Sequence, residues 1–147
     1  MLRGNSPAKI DEKGRLKIPT LFRKYIEDQF GNDLFITSTT GEFVRIYPMP
    51  VWLKIEKKIA EKPSLSPAVT RFLDWINYYG TVATFDLQGR VLIQPLLRRS
   101  ADVKGEVAVL GNQDHLDVWN RERIEAKLTA KPLTEEDMKD LSALLLT

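Results

Sequence analysis

The chain has no cysteine and a single histidine, His115. Without thiols there is neither a disulfide framework nor a thiolate metal site, and one imidazole does not make a zinc cluster. The lack of cysteine suits a reducing cytoplasm. No stretch approaches about 18 consecutive apolar residues, and Met1-Leu2-Arg3-Gly4 leads into no apolar run, so neither a membrane span nor a signal peptide is expected. A glycine-rich phosphate loop is missing as well; Gly4 and Gly14 do not make one. Catalysis lacks a nucleophile–base set, and a lone histidine in a strand reads as structural. Asp11 and Asp86 are conceivable as a carboxylate pair, but a turn role suffices for each. The expectation is a protein that is not an enzyme, with no cofactor, metal or small-molecule substrate.

What is present is a globular composition: 147 residues, 43% hydrophobic and 29% charged. That length suits one domain, or two small units sharing a core. The net charge of +2 says little until it is located. Residues 1–24 carry seven Lys and Arg against Asp11 and Glu12, a balance of +5. Residues 133–147 carry Glu135, Glu136, Asp137 and Asp140 against Lys139, a balance of −3. A basic front points to an anionic partner, with ordinary surface scatter as the alternative.

One stretch repeats. Asp11-Glu12-Lys13-Gly14-Arg15 returns 75 positions later as Asp86-Leu87-Gln88-Gly89-Arg90. Ile10 aligns with Phe85, Leu16 with Val91, Ile18 with Ile93, Leu21 with Leu96 and Arg23 with Arg98, while Pro19 and Pro95 are one step out of phase. This is the signature of two copies of one supersecondary unit. Asp at the first position of a type I turn accepts from backbone amides ahead of it, and Gly at the fourth tolerates positive φ. Each motif therefore reads as a hairpin turn. Alternation puts Ala8, Ile10, Leu16 and Ile18 on a buried face, and Lys9, Arg15 and Lys17 on the outer one, with Lys13 at the turn.

The rest of the chain falls into place around these turns. After the first hairpin, Pro19 opens a short helix with Leu21, Phe22, Tyr25 and Ile26, and strands follow at 34–37 and 43–47. Trp52, Ile55 and Ile59 mark a helix stopped by Lys62-Pro63. Ser66-Pro67 caps a second, with Val69, Phe72, Leu73 and Ile76. This antiparallel pair is a poor candidate for a DNA-reading helix-turn-helix, because the 62–66 turn is unsuitable and the second helix has only Arg71 as a basic side chain. The second copy holds strands at 82–85 and 91–93, a short helix at 95–101, and strands at 107–110 and 116–119. Asn120 caps a helix with Ile124 and Leu128. Thr134 to Asp137 forms a capping box for a last helix with Met138, Leu141, Leu144 and Leu145, expected to pack on its own domain or on a neighbour. The expected division is a first copy at 5–50, a helical connector at 51–79, a second copy at 80–122 and C-terminal helices at 123–147.

At the paired Asp-x-x-Gly-Arg motifs, at Gly14-Arg15-Leu16-Lys17-Ile18-Pro19, at Ile46-Tyr47-Pro48 to Trp52, and from Gly105-Glu106-Val107 through Val118-Trp119, the chain resembles the MraZ family within the AbrB-like group of transcriptional regulators. The resemblance covers roughly residues 1–128 and departs at Gln94 and at His115-Leu116-Asp117. It implies an α+β fold in which two hairpin units interlock as a swapped-hairpin barrel within one chain. It also implies a homo-oligomeric ring, typically an octamer or dodecamer. The implied role is a cytoplasmic, nucleoid-associated regulator of the bacterial division and cell-wall gene cluster, often repressing its own promoter and binding repeated short boxes on double-stranded DNA.

Two readings of the motif arginines stand side by side. Asp11–Arg15 and Asp86–Arg90 are ion pairs across their turns, or Asp orients the turn while Arg and Lys face DNA. A two-stranded ribbon fits the major groove, where a guanidinium grips guanine O6 and N7. The candidate DNA-binding residues are Arg15, Lys13, Lys9, Lys17, Arg3 and Arg90; Asp11, Gly14, Asp86 and Gly89 shape the turns. The first copy is expected to make most of the DNA contact. The second offers Thr84, Gln88, Arg90 and Leu92 at the same places and serves packing or assembly through Leu92. The alternative functions are an AbrB-like antitoxin or an assembly protein, and, less well supported, a hydrolase or transferase.

Overall fold

In the computed structural model, which describes residues 1–61 and 66–146, both repeated motifs open a three-residue strand and close a tight turn. In chain order the elements are β1 (Leu2–Ile10), β2 (Arg15–Lys17), α1 (Thr20–Phe30), β3 (Asp33–Thr37), β4 (Val44–Pro48), α2 (Met49–Glu61), α3 (Pro67–Tyr79), β5 (Thr81–Thr84), β6 (Arg90–Leu92), α4 (Pro95–Ala101), β7 (Gly105–Gln113), β8 (His115–Trp119), α5 (Arg121–Ala130) and α6 (Glu135–Leu145). The fold is α+β. The expected helix stop at Lys62-Pro63 and most of the 62–66 turn lie outside the described residues.

Among the described residues eight strands form one sheet, β5-β3-β4-β8-β7-β1-β2-β6, with neighbouring strands antiparallel throughout. Its two ends, β5 and β6, are consecutive in the chain and joined by the Asp86 turn, where the Asp86 N–H donates to the Arg90 carbonyl at 2.9 Å. The sheet is thus a nearly closed barrel, which leaves little edge to pair with another chain. The long partner of β1 is β7, from Leu2↔Gln113 to Ile10↔Gly105, and that of β5 is β3. Similarly, β2 pairs with β6 and β4 with β8. Exchanging the two copies reproduces the strand order around the barrel. Each copy completes the other's sheet, which is the interlocking that the resemblance implied.

Alternate residues fill the interior. Ile10, Leu16, Ile18, Leu34, Ile36, Val44, Ile46, Val91, Ile93, Val107, Val109, Leu116 and Val118 are buried in one cluster. Phe22 and Ile26 from α1, and Leu97 and Ala101 from α4, extend it. Each buried Val, Leu, Ile or Phe side chain contributes about 1.5–3 kcal/mol by leaving water. Of the expected hairpin face, Ile10, Leu16 and Ile18 are buried, and Ala8 is half-buried against them. Leu21, which the same helix carries, is 82% exposed. Phe22 and Ile26, at i and i+4, already fill the side turned to the barrel, and Leu21 lies about a quarter-turn away.

A second cluster lies outside the barrel wall. Phe35 and Tyr47 point outward from β3 and β4 and are covered by Val51 and Trp52 of α2 and Ile76 of α3. Phe35 stacks on Trp52 with ring centroids 4.8 Å apart. The Ser66 hydroxyl accepts from the Ala68 N–H, and Pro67 opens α3. On the same wall Arg45 of β4 faces Asp117 of β8, at 2.8 Å from Nε and 3.3 Å from Nη2. Asn112 Nδ2 also donates to Asp117, at 2.6 Å. His115 fits a structural role here, with its ring against Tyr47 and Nδ1 3.0 Å from Asp114 Oδ1.

The Asn120 side chain accepts from the Arg123 N–H and caps α5, which is held by Lys127 over the Trp119 ring and by Arg123 Nη1 donating to the Ser100 carbonyl at 2.9 Å. The capping box of Thr134 and Asp137 opens α6. Packing of that helix on its own domain is not observed, since none of its residues is buried.

Candidate nucleic-acid interface

The first turn is built by one carboxylate. Asp11 Oδ1 accepts from the N–H groups of Lys13 and Arg15 at 3.0 and 2.9 Å, and Oδ2 accepts from Arg15 Nε at 2.8 Å. The Gly14 N–H donates to the Asp11 carbonyl at 3.0 Å, with φ at +86°. The second turn repeats this. Asp86 accepts from the N–H groups of Gln88 and Arg90 at 2.8 and 2.9 Å and from Arg90 Nε at 2.9 Å, and Gly89 has φ at +76°. The Arg15 backbone N–H, more than its guanidinium, holds the Asp11 carboxyl below the ordinary carboxylate range, against desolvation as the chief opposing effect. The Arg90 backbone N–H does the same for Asp86.

Both readings of the arginines are therefore compatible. The ion pair is present in each copy, but it uses Nε. Among the described residues the hydrogen bonds of Arg15 and Arg90 to protein run through the backbone N–H and Nε and not through the terminal nitrogens, and the side chains keep 34% and 26% of their exposure. A guanidinium held at Nε presents its outer edge in a fixed direction, which is the geometry a phosphate or a guanine edge requires.

The sequence treats the two hairpins as separate surfaces, whereas the structure joins them. With Leu16 and Val91 buried as a pair, Arg15↔Leu92 and Lys17↔Arg90 make up the outer face of the β2–β6 ladder. The motif arginines thus share one two-stranded ribbon, flanked at opposite ends by the two turns. The Ile93 N–H donates to the Gly14 carbonyl at 2.9 Å, and the Ile18 N–H to the Gly89 carbonyl at 3.1 Å. Within the first hairpin only Ile10↔Leu16 is a ladder pair. Lys13 is exposed at its turn, and Lys9 is exposed on β1 opposite Glu106. Arg3 is not brought to the ribbon: it lies opposite Asn112, about 20 Å back along β1 at ~3.4 Å per residue.

Arg23 and Arg98 were visible in the alignment, but their role was not. A Cβ on Gly14 would stand 2.5 Å from Arg98 Cζ, and one on Gly89 would stand 2.7 Å from Arg23 Cδ. Each turn rests on an arginine from the other copy's short helix. Arg23 Nε lies 2.8 Å from Glu27 Oε1 without the alignment of a hydrogen bond, and Arg98 Nε is buried with no hydrogen-bond partner among the described residues. The signal that finds them is the shared 75-residue offset.

The chain matches the family model of the MraZ protein over residues 1–75 and 80–143. It belongs to the MraZ family. The description of that family also likens it to antitoxins. Similar relatives include a protein of Acidobacterium capsulatum, 46% identical over 97% of this chain and 97% of its own length. Another, from Koribacter versatilis, is 48% identical over 98% and 99%, and one from Syntrophobacter fumaroxidans is 35% identical over 86% and 83%. Each is named Transcriptional regulator MraZ. The MraZ match spans both Asp-x-x-Gly-Arg turns and all eight strands, so it covers the whole ribbon.

Proposed function

We propose that this chain is a sequence-specific transcriptional regulator that binds double-stranded DNA through the β2–β6 ribbon. The observation that carries the reading is the placement of Arg15 and Arg90, each held at Nε by its own aspartate, on one face of a two-stranded ladder. Three residues of strand span about 10 Å, which fits a major groove about 12 Å wide. Arg15 and Arg90 contact base edges; Lys13, Lys17 and Lys9 contact phosphates, and Arg3 serves as an outlying phosphate contact. The relatives' shared name and the basic front of the chain support this.

The finer reading is a homo-oligomeric ring, octameric or dodecameric, in which several ribbons engage repeated short boxes, so that avidity supplies affinity that single contacts lack. Its targets are the division and cell-wall gene cluster and its own promoter, and its place is the cytoplasm, at the nucleoid. Among the described residues no helix is long and apolar enough to cross a membrane. A second reading, an antitoxin-like or assembly protein, is favoured by the family description and by exposed Leu92.

Selection of bound sequences from random duplex DNA tests the first reading, followed by affinity against salt. DNA binding requires log K to fall by about 0.9 per neutralised phosphate per log unit of salt. A recovered box present in several copies per fragment supports the ring. Failure to enrich any sequence, with tight and salt-insensitive capture of a protein instead, supports the second reading.

A further inference from the structure

DNA contact accounts for the cations of the ribbon but not for its leucines. Leu92 lies opposite Arg15 and is 57% exposed, and Leu87 at the tip of the second turn is 98% exposed. The equivalent residues of the first copy are Lys17 and Glu12. Exposed leucine beside arginine is a surface for protein more than for phosphate.

A second feature is left without a role. The helix α6 is capped and amphipathic, yet none of its residues is buried. Met138, Leu141 and Leu145, at i, i+3 and i+7, form a stripe and are 50%, 40% and 80% exposed. At about 100° per residue, Asp137 borders that stripe on one side and Glu135 on the other, with Asp140 further round beyond Asp137. The helix is therefore apolar along its centre and acidic along its margins, whereas the ribbon carries Leu92 between Arg15, Lys17 and Arg90.

We infer that α6 of one copy docks on the β2–β6 ribbon of a second copy and competes there with DNA. This rests on the DNA reading of the ribbon. The stripe covers Leu92 and Leu87, and the acidic margins meet the arginines and Lys17 in place of phosphates. Charge complementarity selects this occupant. Pairing of α6 with another α6 brings two acidic segments together, each with a balance of −3 over residues 133–147, and leaves the ribbon leucines bare. Docking makes DNA binding self-limiting: free ribbons hold neighbours' tails, and a duplex must displace them.

The natural absence of cysteine supplies the test. Full-length Leu92→Cys, carrying a size tag, is mixed with full-length Leu141→Cys and oxidised with copper–phenanthroline. The expected result is a mixed disulfide dimer about fivefold more abundant than from Leu92→Cys with Glu125→Cys, because proximity raises effective concentration. A pool of random 40-base-pair duplexes at low salt suppresses it. No excess over the control overturns docking, and an excess that survives saturating duplex overturns competition. In parallel, Leu141→Glu with Leu145→Glu binds the duplex pool about fivefold tighter, and adding Leu92→Ser yields no further gain. Unchanged affinity in the helix variant contradicts the inference. A chain that binds no duplex at any salt defeats the DNA reading, while the disulfide without DNA still decides whether α6 docks.

Discussion

Replacing Gly14 by alanine perturbs the ribbon at its support without touching any group proposed to meet DNA. Two effects add. Gly14 has φ at +86°, in the left-handed region, which costs an L-residue about 1–2 kcal/mol. The new methyl stands 2.5 Å from Arg98 Cζ, so the guanidinium must leave its position under the turn. Forcing a side chain off its rotamer costs about 0.5–1.5 kcal/mol. The expected destabilisation is about 2–3 kcal/mol, or a Tm drop of about 5–10 °C for a chain of this size. Thermal unfolding followed by circular dichroism measures it. The pseudo-two-fold relation makes a stronger demand. Gly89→Ala displaces Arg23 in the same way, so its Tm drop should match to within a few degrees. Introducing Gly14→Ala into an Arg98→Ala background should cost less than into wild type, by about the rotamer share, ~1 kcal/mol. Full additivity of the two substitutions would refute the packing of Arg98 against the turn, and with it the claim that each copy supports the other's hairpin.

Arg15→Ala and Arg90→Ala should each weaken binding of a selected duplex by about 1–3 kcal/mol and relax specificity, read by fluorescence anisotropy. Lys17→Ala should instead weaken all duplexes alike and reduce the salt slope by about one unit. Asp117→Ala strips a half-buried Arg45 of its partner, and a cost of about 2–4 kcal/mol is expected in denaturant unfolding. Asp11 and Asp86 titrate below their ordinary value of 3.8, so their stabilisation is complete above that pH and is lost as pH falls through the folded-state values. Asp86→Asn should flatten the acid limb of a Tm–pH profile below about 3.8 and leave the profile between pH 5 and 8 unchanged in shape.

Local chemistry was legible in the chain. The Asp-x-x-Gly spacing specified both turns, and period-two alternation identified Ile10, Leu16 and Ile18 as interior. The caps at Ser66, Asn120 and Thr134 could be read because a side chain two or three residues from its amide leaves a short signature. Longer-range relations were less accessible. No periodicity in residues 1–24 states that β1 pairs with β7 instead of extending its own hairpin, because ladder partners share no local pattern. The swapped barrel came instead from resemblance. The ribbon's composition depended on that pairing: Arg90 joins Lys17 only once β2 lies against β6. The exposure of Leu21, and what covers α6, were less legible for a related reason. An apolar stripe says that a face wants cover, not that this chain supplies it.

The most direct measurement is amide hydrogen exchange on the full chain with and without a selected duplex. The account predicts added protection at residues 13–17 and 88–92 together, and none along α3. Protection confined to α2 and α3, or to one motif with the other unchanged, would contradict a shared ribbon as the surface that meets DNA.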